Sequence, residues 1–81
     1  MGASLKIKLE DIRLNQLNYK SLTLVSKFSH MLKVKEGKEL KLQDKDILVQ
    51  ISDVARTSEH LVITELYKQI KNEVRVCLSH R

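Results

Sequence analysis

Cys77, Leu78, Ser79 and His80 place a thiol and an imidazole three residues apart, the spacing of one half of a structural zinc site. Such a site needs four ligands, normally two such pairs. His30 and His60 are the other soft donors, and neither has a second ligand at short spacing. The sequence therefore implies no metal and no other cofactor. Cys77 as a nucleophile needs a base beside it and a depressed pKa. It falls instead on the apolar arc of a helix, where a thiol behaves as a small hydrophobe. Asp44 and Asp46 read as a helix cap and a first-turn charge. Glu65 and Lys68 read as neighbours one turn apart on a helix surface. Two isolated glycines, Gly2 and Gly37, cannot form a phosphate-binding loop. A chain this small is also expected to have little core volume to give up to a substrate cavity of several hundred Å3. No small-molecule substrate is implied, and the expectation is a protein that is not an enzyme.

The other residue types with chemical potential are cations. Residues 1–35 carry seven basic side chains and two acids, and no acid occurs between Ile12 and Lys35, while residues 36–81 are balanced, so the net charge of +5 sits in the first half. An asymmetric basic half suits an anionic partner, although basic faces also occur simply as solvated surface. Arg13, Lys20 and Lys27 are spaced by seven and would line one edge of a helix, with Lys33 and Lys35 in its last turn. Lys68, Lys71 and Arg75 would form a second stripe on the outer face of the last helix. These eight residues are the candidate contacts for an anionic partner, nucleic acid included. The arrangement does not match a DNA-reading helix-turn-helix. The recognition end of the last helix would offer Ser58, Glu59 and His60 rather than cations.

Three segments must position these groups. The most strongly patterned runs from 58 to 79, where Val62, Ile63, Leu66, Ile70, Val74 and Cys77 recur at three- and four-residue steps. Six turns of amphipathic helix need other chain to cover their apolar face. Residues 14–34 give a second helix, with Leu14, Leu17, Leu24, Val25, Phe28, Met31 and Leu32 on one arc, Asn15 or Asn18 as cap and Gly37 as stop. A strand over 21–26 is its competitor, since serine and threonine are frequent there. Residues 45–56 give the third, with Ile47, Leu48, Ile51, Val54 and Ala55 as its stripe and Asp44 as cap. Thr57 or Ser58 would cap the last helix. Leu5, Ile7 and Leu9 alternate with charged residues, as in an extended arm that could pair with the alternating stretch 39–42 or with a second copy.

The fold expectation is mainly α: one small domain over 1–81, a three-helix bundle with an extended N-terminal arm within 1–11. An α+β arrangement with strands near 4–10 and 46–52 is the alternative. The absence of proline and the scarcity of glycine permit long helices. With 81 residues the core is marginal, since such a domain buries roughly 60–65% of its unfolded surface. One cysteine rules out an internal disulfide and suits the cytoplasm, and neither a membrane span nor a signal-peptide pattern is legible.

Leu5, Ile7, Leu9, Tyr19, Leu22, Leu61 and Val76, with Val49, fall outside the apolar arcs. Gathered into one patch they would mark a contact surface, and a marginal core gains stability by burying such a patch in a second copy. The functional expectation is a self-associating interaction module, a homodimer or the ligand of a protein partner, working through apolar and basic helix faces. The alternative is a small basic nucleic-acid-binding regulator using residues 12–35.

Overall fold

The computed structural model describes residues 9–41, 43 and 46–79. It is a bundle of three helices: α1 over Tyr19–Glu36, α2 over Asp46–Thr57 and α3 over Leu61–Ser79. Two single 3-10 turns precede them, Leu9–Asp11 and Leu14–Gln16. There is no strand among the described residues. The strand alternatives at 46–52 and 21–26 are thus replaced by α2 and α1. Of the extended arm expected within 1–11 and the strand alternative near 4–10, residues 1–8 lie outside the described residues, as does the Asp44 cap, and Leu9–Asp11 form a 3-10 turn rather than extended chain.

α1 starts later than its periodicity suggests. Leu14–Gln16 turns once, with Gln16 Oε1 accepting the Arg13 N–H at 2.8 Å, and Leu17 then adopts an extended conformation. The cause is Asn18. Its side-chain oxygen accepts the Ser21 N–H at 2.8 Å and caps α1, which competes with continuing a helix through this point. The break turns Leu17 into the core. At the other end Gly37 takes the left-handed conformation with φ 68° and donates its N–H to the Lys33 carbonyl.

α3 also begins later than expected. Ser58 Oγ accepts the His60 N–H at 3.2 Å, and the His60 carbonyl accepts the first helical N–H groups, from Ile63 and Thr64. Ser58 therefore caps a turn that leads into the helix, and Glu59 and His60 precede the first turn rather than occupying it. Thr57 closes α2 instead, its hydroxyl donating to the Asp53 and Val54 carbonyls.

α3 is the element the others lie on. Ile63, Ile70 and Val74 are fully or almost fully buried, with Leu66 close behind. α1 runs antiparallel along it: Lys20 near the start of α1 pairs with Glu73 near the end of α3 at 3.2 Å, and Glu36 at the end of α1 accepts a hydrogen bond from Ser58 just before α3. α2 packs on α3 and on the turn at Leu9–Asp11, and only slightly on α1. The core gathers Phe28 and Leu32 from α1, Ile47, Leu48 and Ile51 from α2, the α3 stripe, and Leu9, Ile12 and Leu17 from the leading segment. Leu9, placed among the surplus hydrophobes by its alternation with charges, is thus a core residue. Tyr67 packs at the core's edge with the Lys71 ammonium 5.1 Å from its ring centroid.

Candidate interaction cleft

Because α1 rests on α3, and α2 rests on α3 and the leading turn, a cleft opens between α1 and α2. Its volume is about 500 Å3. Val25 and Ile47, both buried, form its floor. Leu14, Leu22 and Leu40 contribute further apolar lining, and Ser26, Ser29, His30, Lys33 and Glu39 supply the polar groups. The Lys33 ammonium stands 3.2 Å from the Glu39 carboxylate, and both side chains remain mostly exposed, so the pair closes the cleft only loosely. Leu40 is held in place by its neighbour: the Gln50 side-chain amide accepts the Lys41 N–H at 2.9 Å and donates to the Lys41 carbonyl at 3.1 Å. The α2 glutamine thus fixes the connector as a second strand would. Volume of this size was not expected of so small a chain. It comes from the spread of two helices at the surface, not from the core.

The α1 wall has a regular pattern. Tyr19, Leu22, Ser26, Ser29 and Lys33 follow steps of three, four, three and four, and lie within about 80° of arc. This spacing is that of a helix–helix seam, yet it faces away from α3. Tyr19 is 85% exposed and Leu22 39%. Ser26, Ser29 and His30 share this wall, and no hydrogen bond joins the imidazole to either hydroxyl among the described residues.

The other sequence candidates are scattered. Leu61 lies at the start of α3, 79% exposed, and Val76 near its end. The cations do not converge on one face. Arg13 stands before the break at Leu17–Asn18 and so does not continue the line of Lys20 and Lys27. Lys20 is paired with Glu73, and Lys33 lies about 120° around α1 from Lys27. Lys35 is exposed at the end of α1. On α3, Lys68 approaches Glu65 at 3.7 Å, Lys71 covers Tyr67, and Arg75 donates to Asn72 Oδ1 at 3.1 Å. Cys77 is half-buried, its Sγ 3.9 Å from the Gln16 carbonyl, and His80 lies outside the described residues. Among the described residues no cluster of three or more histidine, cysteine or acidic side chains could hold a metal. No described helix is long and apolar enough to cross a membrane.

Of the cleft lining, sequence reasoning singled out Leu22 and Lys33 as contact residues and missed Leu14, Ser26, Ser29, His30, Glu39 and Leu40, while Tyr19 continues the seam beyond the cleft. The signal was present in the seam spacing, but the serines in it hid a stripe normally recognised by its apolar residues. Compared with family models, with curated proteins and with solved structures, the chain matches none.

Proposed function

We propose that this chain is a non-enzymatic interaction module that grips a protein segment in the cleft between α1 and α2. The observation that carries the reading is an apolar cleft of about 500 Å3 opening beside an exposed helix seam. A partner helix laid into it would place side chains at three- and four-residue steps over Val25 and Ile47, the usual mode of helix-in-groove recognition. Apolar floor and polar rim give the division of labour found in protein interfaces, where buried anchors supply energy and rim charges set orientation. A single thiol suits a reducing compartment, and the cytoplasm is the setting this reading assigns.

The test is a methyl NMR titration with a panel of amphipathic helical peptides. Shifts confined to Leu14, Leu22, Val25, Leu40 and Ile47, abolished in a folded Leu40→Lys variant, are the expected result. A panel that leaves those methyls unmoved, or moves methyls elsewhere equally, overturns the reading.

A further inference from the structure

We infer that the occupant of the cleft is α1 of a second copy of this chain, crossing antiparallel on a two-fold axis at Ser26. This rests on the interaction-module reading and names its partner. The argument is the order of side chains along the seam. Large residues, Tyr19 and Leu22, stand at one end, the small Ser26 at the middle, and Ser29 and Lys33 at the other. A two-fold axis at Ser26 sets Leu22 of each copy over Ser29 and His30 of the other, beside Leu40, where the cleft is open. It sets Tyr19 against Lys33, a ring against an ammonium. Ser26 meets its own counterpart, and its small side chain lets two backbones approach closely. Leu22 therefore meets a small residue beside a cavity and Tyr19 meets a cation, so the face is self-complementary, as an isologous interface requires.

Charge agrees with this direction. The first turn of α1 carries no acid, so its partial positive end is not neutralised there. In the antiparallel pair that end meets Glu39, whose carboxylate is 73% exposed. The two Lys33 side chains lie at opposite ends and do not repel. A parallel pairing would instead oppose Lys33 to Lys33 and leave the cleft unfilled.

Area sets the strength. An aromatic residue buries roughly 150–250 Å2, so a contact built on Tyr19, Leu22 and the cleft rim falls below the roughly 800 Å2 per partner of a standard stable complex. An interface of that class is weak and reversible.

The experiment is register-specific cross-linking in the full chain with Cys77→Ser, joined to sedimentation across a concentration series. Ser26→Cys should form a disulfide-linked dimer under mild oxidant, while Lys68→Cys on the outer face of α3 links at least ten-fold more slowly. Sedimentation of the natural sequence should show a monomer–dimer equilibrium that Leu22→Lys weakens at least ten-fold while its circular dichroism is unchanged. Dimers that link through Lys68→Cys as fast as through Ser26→Cys overturn the proposed register. A monomer at every concentration overturns the pairing, whether the cleft takes another protein or residues preceding Leu9. Peptide shifts at the cleft in the titration above would then leave the interaction-module reading standing alone.

Discussion

At the scale of single residues, the sharpest features are polar groups held in unusual surroundings. Ser21 and Ser52 are buried, and neither hydroxyl has a hydrogen-bond partner. A buried hydroxyl without a partner costs about 1–3 kcal/mol relative to solvent, and alanine is the better helix former. Ser21→Ala and Ser52→Ala should each stabilise the protein by about 0.5–1 kcal/mol, seen as a higher urea midpoint at unchanged slope. Glu36 is the opposite case. Its carboxyl is held below its ordinary value of 4.5, chiefly by the Ser58 hydroxyl, with burial acting against this and the Lys38 charge supporting it. A carboxylate whose folded pKa is depressed contributes stability that is present above its unfolded pKa and lost as pH falls through the folded one. Thermal midpoints should therefore drop on acidification below about pH 4.5, and Glu36→Gln should flatten that part of the profile. A slope identical in the two proteins would show that the Ser58–Glu36 contact does not link α1 to the α2–α3 turn.

At the scale of elements, the ends of α1 are set by one residue each. Asn18→Ala removes the cap on the Ser21 N–H and should cost about 1 kcal/mol. Gly37→Ala adds a Cβ that meets nothing within 4 Å, so its cost is conformational alone, about 1 kcal/mol for a left-handed residue. Gly37→Asn should cost less, since asparagine tolerates that conformation better than alanine. Urea melts of the three variants check both claims. A loss above about 2 kcal/mol for Gly37→Ala would point to a steric role that the open space around it does not support.

At the scale of the whole molecule, α3 is shared by everything else, so damage to it should not remain local. A domain of this length has a stability of roughly 4–12 kcal/mol. Ile70→Ala, at a fully buried position, should cost about 2–5 kcal/mol and leave the chain marginal or unfolded as a unit. Far-ultraviolet dichroism and Tyr fluorescence should melt together in that variant. Separate transitions for the two probes would show α1 and α2 to be independent of α3. The opening between α1 and α2 belongs to this scale too. The turn at Leu9–Asp11 packs on α2, so part of the apolar surface of α2 is covered by the leading segment.

The inner faces of the helices and the Gly37 stop are legible in local spacing, whereas the spacing left the α1 cap open between Asn15 and Asn18 and left strands over 21–26 and 46–52 as competitors. The sequence could not place Leu9, whose alternation with charges resembles a strand and whose burial depends on α2, nearly forty residues away. Nor could it show that Lys20 answers Glu73 while Lys33 answers Glu39, which separates two cations that looked equivalent on one helix. Which outward face of α1 borders a cleft follows from packing between segments distant in the chain. Periodicity records the faces of one helix at a time, whereas the distance between two helices is set by what packs beneath them from elsewhere in the chain.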